Sequence, residues 1–287
     1  MSSLVVLAAG RARRYGGVKP LAPIGPHGEA VIDLLAGDAL RSGFDRLVLV
    51  VNPDTGSQIE AHVRDVWPSE VDVAFSVQDR PLGTVDAVLA ARRAVQGASP
   101  FGVANADDLY GADALAVLGA HLGTDGSNCL VGFRLDHALV GVLPVTRGVC
   151  TVADGELASI AERRKVSQVD GEFRSADGLE PERLDPAALV SMNLWGFDTR
   201  MWPVLAAAME AAPGASEDNE VLLPELVSSL VGGTTGGDID PSLRRFRVLA
   251  TSSECIGVTH PDDLDLVRSE IAAQVARGDR PAAAFPV

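Results

Sequence analysis

The chain is short of everything that would commit it to a membrane, a disulfide scaffold or a nucleic acid. It has no apolar run near the roughly 20 residues that span a bilayer; the longest, such as SerLeuValValLeuAlaAla near the start, is the length of a strand. That run has no basic region before it and opens into a Gly/Arg-rich loop where a cleavage site would stand, so it is not read as a signal peptide. The three cysteines, Cys129, Cys150 and Cys255, are odd in number and far apart, with neither a CxxC pair nor a histidine at zinc-ligand spacing. Disulfide and zinc frameworks are set aside, buried free thiols are expected, and the placement is cytoplasmic. Cations are scarce: 24 Lys+Arg against 39 Asp+Glu leave a formal net charge of -15 and no basic patch. Nucleic acid is excluded as a partner, because binding it relies on cations that displace counter-ions from phosphates. A small anion is not excluded, since a loop of backbone N–H groups with two or three cations holds a phosphate whatever the global charge. Internal repeats are also lacking, and the AlaAlaAlaPhe tail at 282–285 reads as a frayed end.

What is present is a large apolar fraction, 47% of 287 residues, enough for one large core or two moderate ones. Apolar runs rich in Val, Leu and Phe stand at 3–8, 46–52, 71–77, 101–105 and 128–134, with segments of helical period between them. In 31–42, Ile32, Leu35 and Ala39 share one face; in 84–96, Val85, Val88, Leu89, Arg92 and Val95 follow the same spacing. Continuous apolar strands alternating with helices imply an α/β protein, a three-layer α/β/α Rossmann-like sandwich with a mostly parallel mixed sheet, whose ligands bind at the C-terminal strand ends. The chain is read as one domain over 1–287. The rhythm weakens after residue 135: 136–190 reads as loop, polar and dotted with Asp/Gly, and is either a lid or an oligomer contact, a choice left open with the oligomeric state.

The first strand ends in LeuAlaAlaGly (7–10), and ArgAlaArgArgTyrGlyGlyValLysPro (11–20) follows. Small residues here let backbone N–H groups approach an anion closely. Arg14 and Lys19 then neutralise a triphosphate and the charge that develops at its α-phosphorus. The loop is neither GxxxxGK[ST] nor GxGxxG. It resembles the opening signature of the sugar-phosphate nucleotidyltransferase family, LeuAlaAlaGly-x-Gly-x-Arg followed by LysPro. Leu7, Ala8, Ala9, Gly10, Arg14, Lys19 and Pro20 match; Ala12 stands where the family has a second glycine and Arg13 where it has Ser or Thr.

The resemblance implies a nucleotidyltransferase, joining a nucleoside monophosphate from a nucleoside triphosphate to a phosphorylated small molecule, a sugar 1-phosphate first of all. A nucleotide-binding half over 1–135 and an acceptor-binding half over 136–287 follow from it. Leu7, Ala8, Ala9, Gly10, Arg11, Ala12 and Arg13 then line the nucleotide, Arg14 steadies the transferring phosphoryl group and Lys19 bridges it to the acceptor phosphate. Further along, GlnAspArgProLeuGlyThrValAspAla (78–87) matches a family segment that holds the base, by Gln78 and Gly83, with Thr84 as helix cap; it also reads as a plain strand-to-helix turn. In AsnAlaAspAspLeuTyrGly (105–111), Asn105 falls on the nucleotide side, Asp107 is the matching Mg²⁺ ligand, and Asp108 is read as the cap of the following helix.

SerIleAlaGluArgArgLysVal (159–166) resembles the family's ValxGluLysPro element, so Glu162 takes sugar hydroxyls and Arg163 stands for the lysine on the acceptor phosphate, although such a charge run is also a common solvated face. Asn193 in SerMetAsnLeuTrpGlyPhe (191–197) matches the acceptor-lining strand, with Trp195 in the core. Near the end the family carries a second metal-binding aspartate. Here Gly257 occupies that position, and the nearby His260, Asp262 and Asp263 are not assigned to it. The competing readings are transfer to a phosphorylated alcohol, phosphonate or pterin, glycosyl transfer, which lacks its AspxAsp element here, and a non-catalytic nucleotide or sugar-phosphate sensor.

Overall fold

The computed structural model describes residues 2–10, 16–95, 99–139, 143–258 and 263–285. Arg11, Ala12, Arg13 and Arg14 of the opening loop, with His260 and Asp262, lie outside the described residues. The first half reads β1 (Ser3–Leu7), α1 (Val31–Arg41), β2 (Arg46–Val51), α2 (Gly56–Val66), β3 (Val73–Val77), α3 (Thr84–Ala90), β4 (Phe101–Asn105), β5 (Asp108–Leu109), α4 (Ala112–Thr124) and β6 (Cys129–Arg134). The second adds β7 (Val145–Ala153), β8 (Glu156–Val169), β9 (Glu172–Ser175), β10 (Arg183–Leu184), β11 (Leu189–Phe197), α5 (Met201–Glu210), α6 (Leu223–Val231), β12 (Arg247–Ala250), β13 (Ile256–Gly257) and α7 (Leu264–Arg277). No helix among the described residues is long and apolar enough to cross a membrane.

The main sheet runs β10-β9-β8-β12-β6-β11-β4-β1-β2-β3, with β7 lying against β11 and β8. β3, β2, β1 and β4 are parallel, as is β12 with β6; β11 enters antiparallel between β4 and β6. Successive side chains of a strand point to opposite faces, so Leu4 and Val6 join one core and Val5 the other, as do Leu47, Leu49 and Val51 against Val48 and Val50. Helices α1, α2, α4 and α7 cover the first face and α3, α5 and α6 the second. This is the α/β/α sandwich that continuous apolar strands require.

Two expectations are corrected. Within the stretch 136–190, expected to be loop, residues 145–184 form an antiparallel ribbon, β7 to β10. Its AspGly dipeptides are hairpin turns: Asp154 and Gly155 have φ of 52 and 78°, Asp170 and Gly171 of 50 and 79°, with Ala153 paired to Glu156 and Val169 to Glu172. Positive φ at both central residues gives the turn whose twist matches a strand pair. Polar residues fill the ribbon because much of it faces water, which dilutes the apolar alternation.

The tail is not frayed either. Arg280 pairs with Asp38 of α1 at 2.7 Å, with side-chain exposures of 4 and 3%. Arg41 Nη1 donates to the Ala284 carbonyl at 2.7 Å, and the rings of Phe285 and Trp67 lie 5.6 Å apart. Under this strap α1 is buried all round from Val31 to Ala39, beyond the stripe of Ile32, Leu35 and Ala39. Gly37 makes room for it, since a Cβ there would stand 1.9 Å from the Ala284 carbonyl oxygen. At the other end of α1, Asp33 accepts the Ala30 N–H at 2.8 Å and Trp67 Nε1 at 2.7 Å, and meets His62 Nε2 at 2.8 Å, so one buried carboxylate satisfies a helix start and ties in α2.

Candidate active site

Leu7 of β1 is paired with Asn105 of β4, so Ala8 to Gly10 and Ala106 to Asp108 leave the sheet at the same edge, where a parallel sheet offers its ligand crevice. The opening loop is held from the side by Asn52, at the end of β2. Its Nδ2 donates to the Ala9 carbonyl at 3.0 Å while its Oδ1 accepts the N–H groups of Asp54 and Thr55, each at 2.9 Å. Sequence reasoning passed over Asn52; its signal was the AsnProAsp that closes an apolar strand.

Three clefts meet at this edge. One, of about 440 Å³, is lined by Leu7, Ala9, Gly10, Gln78, Gly83 and Thr84. A larger one, of about 830 Å³, takes in Arg147, Glu162, Arg164 and Asn193, and a small one of about 190 Å³ is formed by Ala8, Lys19 and Pro20 with their neighbours. Asp107 lines all three, and Asn105 and Thr84 line the two larger ones.

On the first cleft, the Gln78 amide donates to the Gly83 carbonyl at 3.0 Å and to Asp86 at 2.9 Å, so what it has left for a ligand is its acceptor oxygen. Gly83 has φ 107°, and a Cβ on it would come within 2.4 Å of the Val221 carbonyl oxygen; no other residue lets the 221 segment pass. Thr84 does not cap α3, whose N-cap is Gly83. Its hydroxyl instead accepts the Leu223 N–H at 2.8 Å, one of the unsatisfied donors at the start of α6.

Lys19 sits in a single 3₁₀ turn with Pro20 behind it, and its ammonium pairs with Asp107 Oδ2. Asp108 does not cap α4, which begins from Gly111. It is the first residue of β5 and accepts Asn105 Nδ2 at 2.9 Å. Burial, and then the neighbouring Asp107 carboxylate, push its pKa up to about 6 against the lowering effect of Asn105. A carboxyl raised in this way from 3.8 supports the fold below about pH 4 and loses that support as the pH climbs through 6. Asp108→Asn is therefore expected to raise Tm by roughly 5 °C at pH 8 and to leave it nearly unchanged at pH 4. Thermal melts at the two pH values check this, and an equal shift at both would refute it.

Gly257 is paired with Asp108 across β13 and β5, and a Cβ on it would stand 2.4 Å from Asp108 Oδ1. The Asp108 carboxylate thus fills the space toward which a side chain at 257 would project. Asp107 and Asp108 supply the hard oxygen donors that fit a cation of the Mg²⁺ kind, which keeps waters and substrate oxygens for its other positions. No group of three or more His, Cys, Asp or Glu able to hold a metal occurs among the described residues.

On the larger cleft, Glu162 pairs with Arg164 at 2.9 Å. Asn193 has φ 59° within a bulge of β11 between Ser191 and Trp195. Tyr110, fully buried, donates to the Met192 carbonyl at 3.0 Å and accepts the Asn105 N–H at 2.9 Å, fastening the bulge to the end of β4; burial holds its phenol well above its ordinary pKa. Trp195 is in the core, as are the three free cysteines. Arg163 is not on the cleft. Its guanidinium is spent on Asp177 at 2.8 Å and on the carbonyls of Leu179 and Pro181 at 2.8 and 2.9 Å, and it holds the Asp177 carboxyl well below the usual range. Its reading as the acceptor cation is corrected: strand alternation turns Glu162 toward the cleft and its neighbour away.

Comparison with known proteins agrees with this architecture. Residues 4–216 match the family model of the MobA-like NTP transferase domain. The bifunctional protein GlmU of Rhodopseudomonas palustris is 33% identical over 170 residues, 58% of this chain and 35% of that protein, so the chain spans about a third of the length of the curated relatives it matches. The inositol-1-phosphate CTP transferase from T. maritima superposes with a TM-score of 0.64 at 15% identity, covering 94% of this chain and 95% of the other. A UDP-glucose pyrophosphorylase complexed with UDP-glucose does so with 0.64 at 14%, covering 96 and 99%. At these identities the structural likeness is one of fold.

Proposed function

The chain belongs to the MobA-like NTP transferase family, and from that premise we propose that it transfers a nucleoside monophosphate from a nucleoside triphosphate to a sugar 1-phosphate. The observation that carries the proposal is the meeting of two clefts at one carboxylate, Asp107, with the Lys19 ammonium on it. The smaller cleft, with Gln78 and Gly83 at its back, takes the base and ribose. The larger one, with Glu162 and Asn193, takes the acceptor.

An ionised oxygen of the acceptor phosphate attacks the α-phosphorus in line. The new O–P bond forms as the bond from that phosphorus to the β-bridging oxygen breaks, and the electron pair leaves with pyrophosphate. No protein nucleophile and no proton transfer is needed, because the attacking phosphate is already an anion. The task of the protein is alignment and neutralisation. Lys19 stands where the charge builds up, and Asn52 and Asn105 hold the two backbone segments around it. Asp107, with Asp108 beside it, would hold a magnesium ion, and the chemistry that ion would supply is neutralisation of phosphate charge.

The test is to give the purified protein Mg²⁺ and each common nucleoside triphosphate against a panel of sugar 1-phosphates, inositol 1-phosphate and phospho-alcohols, and to measure released pyrophosphate. Release that requires an acceptor is the expected result and names base and acceptor together. Silence across the panel with nucleotide still bound would overturn transfer in favour of a nucleotide sensor.

A further inference from the structure

Three cations line the larger cleft: Lys19, Arg147 and Arg164. Lys19 is neutralised by Asp107 and Arg164 by Glu162. Arg147, on β7, is different. Its Nε and Nη2 both donate to the Ala138 carbonyl, at 3.0 and 2.7 Å, and its Nη1 to the Thr146 carbonyl at 2.9 Å. Neutral carbonyls fix the guanidinium plane without cancelling its charge, and among the described residues no carboxylate lies within ion-pair distance of it. Asp108, on the same cleft, makes its side-chain hydrogen bond to Asn105 instead.

A guanidinium has five N–H donors. Among the described residues three are used, which leaves one on Nη1 and one on Nη2, the two terminal nitrogens whose spacing matches two oxygens of a phosphate. A half-buried cation with rigid geometry, two donors unspent among the described residues, and Asp108 acting on its charge only from beyond ion-pair distance, on the wall of a cleft large enough for a sugar phosphate, is a site for an anion. Arg163 leaves this role vacant, because its donors are taken by Asp177, Leu179 and Pro181.

We propose that Arg147 anchors the phosphate of the acceptor. Resting on the transfer reaction proposed above, the assignment deepens it: the acceptor is a phosphomonoester dianion, gripped through two oxygens by Nη1 and Nη2 of Arg147, with its third oxygen left to face the α-phosphorus beside Lys19. The acceptor's body then lies toward Glu162 and Asn193.

The test uses whichever acceptor releases pyrophosphate with the wild-type protein, and separately titrates inorganic phosphate into the nucleotide-free protein by calorimetry. Arg147→Gln is expected to raise the acceptor KM about 100-fold, the loss of a charged two-point contact, and to weaken phosphate binding at least tenfold, with the KM for the nucleoside triphosphate within threefold and Tm within a few degrees. Arg147→Lys, keeping the charge and losing the fork, should fall between. An unchanged acceptor KM would overturn the assignment while leaving nucleotidyl transfer standing; so would a fall in Tm with all kinetic constants moving together, the mark of a strut. If the wild type turns over no acceptor, the transfer reading fails by itself. In that event a phosphate site lost in Arg147→Gln still supports the anion site, and no phosphate binding in the wild type overturns it.

Discussion

Replacing Lys19 with alanine is expected to lower kcat for nucleotidyl transfer by about 100- to 1,000-fold, the effect of removing one preorganised charge from a forming anionic transition state. The ammonium is partly buried and already opposed by Asp107, so alanine does two things at once. It removes a cation where negative charge builds up, and it leaves a carboxylate uncompensated facing a triphosphate. A drop in kcat larger than the rise in either KM is therefore expected. In nucleotide-binding measurements without Mg²⁺, which Asp107 would otherwise hold, adding Asp107→Asn to Lys19→Ala separates the two contributions, because it removes the stranded negative charge. Partial recovery of nucleotide affinity in the double variant marks the second contribution. A kcat within fivefold of wild type in Lys19→Ala would remove Lys19 from the reaction.

The second large effect lies far from the clefts. Arg280→Ala is expected to destabilise the protein by about 3 kcal/mol, since taking one partner from a buried ion pair leaves the other charged and desolvated. Asp38 keeps Arg41 at 2.8 Å, which places the loss toward the low end of that range. The expected fall in Tm is roughly 5 °C, with KM values unchanged at temperatures where the protein is folded. The combined Asp38→Asn and Arg280→Ala variant should recover part of the loss, as a coupled pair does. A Tm within 2 °C of wild type in Arg280→Ala would show the strap to be ornamental.

The parallel strands and their helices were legible because each strand is a continuous apolar run bounded by polar turns. The LysPro element, in the loop that follows the first strand, and the adjacent carboxylates, at the end of another, place themselves at one edge of the sheet by sequence alone. What escaped was decided by partners distant in sequence. Thr84 looks like a cap for its own helix, yet it serves α6, which arrives beside it more than a hundred residues later. Arg163 looks like a ligand cation until Asp177 is seen to claim it, and Arg147 gives no local sign that its donors go to backbone carbonyls. The two AspGly turns were a signal read too weakly: as generic loop composition, where their spacing between polar alternating segments spells hairpins. Arg280 looks like one more charge near a chain end, and only the groove beside Gly37 explains its burial.

The placement of β11 has a bearing on how the chain is made. β4 and β6 are consecutive main-sheet strands in the sequence but not neighbours in the sheet, because β11 is laid between them. During synthesis both strands leave the ribosome well before Leu189 exists, and each then carries an unpaired edge flanked by Val, Leu and Phe side chains. Such edges are templates for pairing with another chain. Until Phe197 has emerged the seam between β4 and β6 stays open, so a chain truncated before Leu189 is expected to aggregate where the full chain does not.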